Sequence, residues 1–454
     1  MKKKYFILSV FALVVIAFIL FYAHNKRISI YNYDTTLDYK YNFDNGSAQI
    51  YNLKVKHDSI KIPIIKNKNV STFLKVNLKS TLLGKFSQPK INIYFNDKVI
   101  SEHFEIGSKG VRYLNISDVL NTNINTNKIK INTQNTKLIN DDVSLYVFKN
   151  STLKDKNILV LAPHPDDAEI AAYGLYTTYP KNTYIVTVTA GDAGEFKYDE
   201  IYKDSLTHYL QKGKLRTWNS LTVPLLGNIQ SENILNLGYF NEALAAMHAN
   251  DTALVKTHFT KTYDINSFRK QNISKLLDSV KGTSRWISLV NDLTFLLDTI
   301  KPDIIVTPSP NLDRHLDHQF TTIALFDAIK KTGMNKGQLF LYTNHLPKSE
   351  SYPYGNMGEP VTLPPNFDTS LYFESIYSFP MPLRLQKEKI FALDAMNDIR
   401  LDTDYLDSKK TFVYALKILK RNTIGPQNDY FRRSVRSNEL FFVIPINKIS
   451  KIKF

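Results

Sequence analysis

Residues 157–174 read NILVLAPHPDDAEIAAYG. Residues 157–162 are a short apolar, β-branched run, the pattern of a buried strand, and helix-forming residues follow from Ala168. The turn between them places His164, Asp166 and Asp167 at a strand's carboxyl end, where open α/β sheets keep their ligands. Pro165 stiffens that turn. One imidazole and two carboxylates within four residues suit a divalent metal and leave a carboxylate over for proton transfer.

A second cluster sits after another apolar strand, residues 303–307 (DIIVT), where His315, Asp317 and His318 precede a helical stretch. Strands at 157–162, 184–189 and 304–307 alternate with helical segments near 205–221 and 273–297, which predicts βα units in a mostly parallel sheet. HPDD after the first strand, TAGDAGE at residues 189–195 after the second, and HxDH after PDIIVTP together resemble the PIG-L/LmbE family of zinc-dependent N-acetylglucosamine de-N-acetylases. The resemblance runs over about residues 155–444 and implies a Rossmann-like α/β deacetylase domain.

The resemblance also implies roles. Zinc would be held by His164, Asp167 and His318, with a position open for water. Asp166 would be the general base, His315 would stabilise the oxyanion or protonate the leaving amine, and Asp317 would orient the His315 imidazole. Family members carry an Arg and then a Glu three residues on, and a strand ending in Asp. Here Arg216 is followed by Asn219, and Asn241 stands in the Asp position; Arg216 and Asn241 are the expected substrate contacts. His208, His248 and His258 read as surface or capping residues, whereas His345, Tyr352 and Tyr354, in a Pro- and aromatic-rich loop, are candidates to line a sugar cleft. Residues 384–400 read as a late packing helix and 438–444 as a closing strand.

Upstream, residues 5–23 form a nearly uninterrupted apolar run behind three lysines, long enough at about 1.5 Å per residue to approach a bilayer core of roughly 30 Å. Residues 1–27 are therefore expected to be a signal anchor, a transmembrane helix with its amino terminus inside and the remainder extracytoplasmic. Residues 28–150 show short alternating strands broken by Asn, Asp and Gly, including an Asn96-Asp97 hairpin turn, and predict an all-β sandwich. That module would serve as a glycan-binding surface or a spacer. The polar stretch KNSTLKDK at 149–156 marks the boundary with a deacetylase domain over 151–454.

Composition constrains the reading further. With no cysteine, disulfides and thiolate metal sites are excluded. The net charge of +16 fits solvated lysines or an acidic partner, and an extracytoplasmic chain has no nucleic-acid partner to meet. The expected function is zinc-dependent removal of N-acetyl groups from N-acetylhexosamine units of an extracytoplasmic glycan. The alternatives are a de-N-acetylase of a lipid-linked N-acetylglucosamine and a non-catalytic glycan-binding protein.

Overall fold

The structure is a computed structural model; it describes all residues except 1–4, 6–9, 19–20, 22–29, 44–46, 122–126, 258, 279, 347–348, 350, 400–407, 424–432 and 453–454. Nine strands come first: β1 (Gln49–Lys56), β2 (Ser59–Lys61), β3 (Val70–Ser80), β4 (Lys90–Phe95), β5 (Lys98–His103), β6 (Lys109–Asn115), β7 (Lys128–Gln134), β8 (Thr136–Leu138) and β9 (Asp142–Lys149). They pair antiparallel in the order β5-β4-β7-β2-β1-β9-β3-β6, with β8 on β3. Asn96 and Asp97 make the two-residue turn between β4 and β5, with Phe95 opposite Lys98 and Asn96 at φ 47°.

A sandwich of two separate sheets is not what forms. One hydrogen-bonded path carries all nine strands, because β1 serves both halves: residues 49–54 pair with β9, and Val55 and Lys56 pair with β2. The two halves face each other over one core, Ile60, Ile91, Ile93 and Ile129 against Leu74, Val76, Leu114 and Leu145.

The second sheet holds β10 (Ile158–Ala162), β11 (Thr183–Thr189), β12 (Ile234–Tyr239), β13 (Ile304–Pro308), β14 (Gln338–Tyr342), β15 (Ser375–Pro380) and β16 (Asn438–Pro445), in the order β12-β11-β10-β13-β14-β16-β15. β10 to β14 are parallel, but β16 is antiparallel to both β14 and β15. The sheet is therefore mixed, which corrects the expected Rossmann-like, mostly parallel sheet. The cause is a long excursion between Pro380 and Asn438, which lie directly opposite each other. A chain that leaves and re-enters at the same end of a sheet needs no crossover, so its second strand runs back antiparallel.

The longer helices are α1 (Asp167–Thr178), α2 (Ser205–Thr222), α3 (Trp286–Ile300), α4 (Leu316–Thr332), α5 (Leu383–Asp394) and α6 (Ser408–Thr423). α2 starts where an N-cap is expected: the Asp204 carboxylate accepts from the Thr207 amide at 2.7 Å. The helix expected from residue 273 begins only at Trp286, since Ser284 upstream bonds the Val255 carbonyl at 2.6 Å and holds that stretch against another loop. α6 has no counterpart among the helices expected from the sequence; Phe412, Leu416 and Leu419 lie exposed along it.

No helix of the described residues is long and apolar enough to cross a membrane. The transmembrane anchor expected over residues 5–23, and with it the membrane as a partner through an N-terminal helix, is thus not supported. Residues 5, 10–18 and 21 of that run are helical, and the others lie outside the described residues.

The two sheets are joined by aromatic packing. Tyr41, Phe43, Phe73, Tyr113, Tyr146 and Phe148 belong to the same apolar core as Phe373 and Phe442. Tyr41 stacks on Phe442 at 6.1 Å between centroids, and Phe43 meets Phe373 at 5.7 Å. Buried polar contacts cross the same seam: Asn115 Nδ2 donates to Ser378 Oγ at 2.9 Å, and the Ser378 amide donates to Ser71 Oγ at 2.7 Å.

Candidate active site

The carboxyl ends of β10 and β13 lie side by side and deliver the two motif loops to one point. Three donor atoms meet there. His164 Nδ1 is 3.2 Å from Asp167 Oδ2, His318 Nε2 is 3.1 Å from the same oxygen, and the two nitrogens are 3.2 Å apart. The far nitrogen of each imidazole faces a carboxylate: His164 Nε2 is 3.1 Å from Asp317 Oδ2, and His318 Nδ1 is 3.1 Å from Asp313 Oδ2. Those carboxylates draw the ring protons outward, so both histidines turn lone pairs inward beside the Asp167 oxygen. Burial lowers the proton affinity of His318, but the Asp167 and Asp313 carboxylates more than reverse it and hold it well above the usual histidine range, so a metal would enter by displacing a proton from the inward nitrogen.

Three ligand atoms aimed at one another, buried and ringed by carboxylates, suit a cation. Edges of 3.1 to 3.2 Å are close to what three ligands at about 2.0–2.1 Å around a tetrahedral metal would span. The donor set of two imidazoles and one carboxylate fits a divalent transition metal, and the cluster could hold one. Two wider groups, His164–His315–His318 and Asp167–His318–His345, also bring donor atoms within 4.8 Å. His315 is the weaker donor of these, because its Nδ1 is occupied: it caps α4 by accepting the Asp317 amide at 3.2 Å.

Asp166 lies beside the triangle but outside it. Its backbone is in the left-handed region, φ 125° and ψ −25°, a strained conformation for a residue with a Cβ. The strain turns its side chain away from Asp167 and toward Arg216, whose Nη2 donates to Asp166 Oδ2 at 3.1 Å and to the Pro165 carbonyl at 2.8 Å. Burial pushes the Asp166 carboxyl up to about 6, against the pull of Arg216 in the other direction.

His315 differs from the expectation in how it is held. The Asp317 carboxylate, assigned from the resemblance to this imidazole, instead engages His164 and accepts from the Glu242 amide at 2.6 Å. The Asp317 backbone N–H fixes His315, which leaves the proton on Nε2. Burial and then the neighbouring His164 and His318 push His315 down to about 4, so at neutral pH it is an uncharged imidazole with one N–H to offer.

These residues open onto a cavity of about 340 Å³ whose lining includes Asp166, Arg216, Asn241, His315 and His345. Asn241 reaches the site with its backbone amide on Asp192 Oδ1 at 2.8 Å, and its side-chain oxygen accepts from Thr189 Oγ1 at 3.4 Å. Tyr352, Pro353, Val361 and Pro364 form one wall. Tyr354 is not among the lining residues; it packs with Tyr31 and Tyr352 in a separate cluster. His208 is fully buried and accepts from the Tyr198 amide at 3.0 Å, which corrects its surface reading, and His248 packs edge-on against Trp286. His258 lies outside the described residues.

Sequence reasoning missed several contributors. Asp313 also receives the Asn344 amide at 3.0 Å, and Asn344 Nδ2 donates to Asp167 Oδ1 at 2.7 Å. The signal for Asp313 is present, two residues before His315 in NLDRHLDH, but nothing local distinguishes it from a turn aspartate. α1 breaks at Ala172, φ −142°, and the amides of Gly174 and Leu175 are taken up by Glu439 from β16 at 2.8 and 2.9 Å. A Cβ on Gly174 would lie 1.8 Å from Met381 Sδ, so a larger residue there would have to displace the Met381 side chain.

Residues 159–329 match the model of the PIG-L family, described as GlcNAc-PI de-N-acetylase. Among solved structures, an N,N'-diacetylchitobiose deacetylase from Pyrococcus horikoshii is 17% identical, with 65% of this chain and 86% of that one covered at a TM-score of 0.36. A teicoplanin deacetylase in its zinc-inhibited form is 12% identical, with 63% and 97% covered at 0.35. An A40926 pseudoaglycone deacetylase is 15% identical, with 64% and 98% covered at 0.33. No curated protein matches the chain.

Proposed function

We propose that this chain, whose residues 159–329 match the PIG-L family model, is a zinc-dependent N-deacetylase acting on an N-acetylhexosamine unit of a glycan and releasing acetate. The observation that carries the reading is the separation of roles at the turn: Asp167 faces two imidazoles, while its neighbour Asp166 is turned off toward Arg216 and the cavity. A zinc ion held by His164, Asp167 and His318 would supply a Lewis acid for the amide carbonyl and acidify the attacking water.

The chain's own residues supply the rest. Asp166 takes a proton from the attacking water as its oxygen bonds to the acyl carbon. His315 offers Nε2–H to the carbonyl oxygen as negative charge builds there, the role of a neutral imidazole with a low proton affinity. Asp166 then returns the proton to the sugar nitrogen as the C–N bond breaks, so that amide and water become acetate and amine. Arg216 holds Asp166 in place.

The cavity volume of about 340 Å³ suits one or two sugar units. The aromatic loop after Asn344, which in the sequence suggests a lining for a sugar cleft, forms cavity wall. The test is acetate release, with the metal-loaded protein, from free N-acetylglucosamine, its oligomers, extracted polysaccharide and an N-acetylglucosaminyl lipid. Acetate release from one of these, abolished by chelation and restored by zinc, is the expected result; full activity after exhaustive chelation would sink the metal-dependent reading.

A pH profile follows from Asp166. The base works deprotonated, so kcat/KM should fall as the pH drops below about 6, and a bound cation moves that limb lower still. Arg216 lowers the Asp166 value, so Arg216→Ala should move the limb upward, besides reducing the rate. A limb that stays in place or moves down in that variant would separate it from Asp166.

A further inference from the structure

Lys212 and Arg216 stand one turn apart on α2, and both line the cavity. Their side chains are only 2% and 12% exposed. Like charges at this spacing repel, and a buried cation without a counter-charge is costly. One carboxylate serves both: Asp398 Oδ2 is 3.4 Å from Lys212 Nζ and 3.7 Å from Arg216 Nε.

Asp398 comes from far along the chain, just beyond α5, and its segment is tied down independently of that carboxylate. Lys197 Nζ donates to the carbonyls of Asn397 at 3.1 Å and Asp398 at 3.0 Å. Asn219 Nδ2 donates to the Ala395 carbonyl at 3.3 Å and to Asn397 Oδ1 at 3.1 Å, and Asn219 Oδ1 accepts the Asn397 amide at 3.3 Å. The Asp398 carboxylate is therefore placed by its backbone and by the Tyr198 hydroxyl, which donates to its Oδ1 at 3.3 Å, and not by the cations alone.

The guanidinium of Arg216 is then held on three sides. Nε faces Asp398, Nη2 reaches Asp166 and the Pro165 carbonyl, and Nη1 points at the Gly191 carbonyl at 3.4 Å. Gly191 has φ +70°, and a Cβ there would come within 2.9 Å of the guanidinium, so the group lies flat on bare backbone. A planar fork hydrogen-bonded through Nη1 and Nη2, with a carboxylate 3.7 Å from Nε, has one orientation.

We propose that Asp398 is a positioning residue for the deacetylation: its carboxylate sets the orientation of Arg216, and through it the place of Asp166. This rests on the deacetylase reading above. Asp398 acts through Arg216 and needs no contact with the reacting atoms, and it stands clear of the His164–Asp167–His318 triangle.

The test uses the full chain loaded with zinc. Asp398→Asn should lower kcat about 10- to 100-fold, the scale of a misplaced catalytic group, with KM nearly unchanged and metal content equal to wild type. Asp398→Glu should recover most of that loss. Asn219 lies three residues beyond Arg216 on the same helical face, so Asn219→Glu in the Asp398→Ala background returns a carboxylate to the guanidinium and should recover kcat at least about tenfold over Asp398→Ala alone. Modification of Arg216 by phenylglyoxal, followed by peptide mass spectrometry, gives a readout without turnover: several-fold faster in Asp398→Asn and slow again in the double variant.

Wild-type kcat and wild-type Arg216 reactivity in Asp398→Asn would overturn the proposal. So would a double variant that regains thermal stability and not kcat, which would mark Asp398 as structural only; this arm decides the matter if Asp398→Asn does not fold. A wild-type protein that releases no acetate from any substrate, while Arg216 reactivity still follows the charge, would remove the deacetylase reading and leave the role of Asp398 standing.

Discussion

Asp166→Asn should bind metal as the wild type does and turn over about 10²- to 10⁴-fold more slowly, the usual contribution of a positioned general base. The geometry separates the two effects. Asp166 has its carboxylate on Arg216, whereas Asp167 touches His164 and His318. Asn keeps the shape of Asp166 and a partner for Arg216 but cannot accept the proton. His318→Ala and Asp167→Ala should instead lose metal and activity together, because each removes one corner of a three-donor site whose edges are 3.1 to 3.2 Å. Metal analysis and acetate release on the same preparations decide it. Full metal occupancy in the His318→Ala protein, or an Asp166→Asn protein as active as wild type, would contradict the assignment.

Much of this centre is legible in the amino-acid sequence alone, because the decisive residues are local. His164, Asp166 and Asp167 share one turn and His315, Asp317 and His318 another, each behind an apolar strand, so two short readings and the rule about strand ends bring them together. What stays hidden are contacts between distant segments. The partner of Asp317 is His164 and not its neighbour His315, since an N-cap histidine already has its Nδ1 filled by the local amide. Asp398, 182 residues from Arg216, carries no local sign of its role. The same holds for the fold: strand positions in both sheets are readable from alternation and apolar runs, but pairing direction is not. β16 reads as a strand either way, and only its neighbours make it antiparallel. The helix read over residues 384–400 stops at Asp394, because the chain must turn there for Asn397 and Asp398 to reach α2.

Removal of residues 28–149 should leave a protein that does not fold, and with it no metal site and no activity. Read from sequence, that region is a separable module, a glycan-binding surface or a spacer, whose loss would weaken substrate capture more than it slows the chemistry. In the fold it supplies an aromatic layer to a common core. Tyr39, Tyr41, Phe43, Phe73, Tyr113, Tyr146 and Phe148 are all buried in one cluster with Phe373, Phe442 and the strands that carry the site. The truncated chain would leave the faces of Phe373, Phe442 and their neighbours uncovered, at about 1.5–3 kcal/mol for each large side chain returned to water, a large share of the roughly 5–15 kcal/mol that typically separates folded from unfolded chains. The loss also reaches the cavity directly. Asn115 Nδ2 donates to the Val361 carbonyl at 2.7 Å, Thr362 Oγ1 donates to the Tyr113 carbonyl at 2.6 Å, and His103 pairs with Glu359 at 3.2 Å, so the loop that walls the site is hung on the first sheet. The intact chain should accordingly unfold in one cooperative thermal transition, with tryptophan fluorescence, which reports the α/β part through Trp218 and Trp286, coinciding with the loss of far-ultraviolet strand signal. A truncated protein that is soluble, monomeric and metal-replete, or two separated transitions in the full chain, would restore the picture of two independent modules. A milder version keeps the region and breaks only the seam: Phe43→Ala removes a ring stacked 4.1 Å from Tyr146 and in edge contact with Phe373, and should lower stability by about 3–5 kcal/mol. Activity in that variant should fall in step with the folded fraction, because the residues of the triangle lie on α1, α4 and the turn after β10, away from the Phe43 seam.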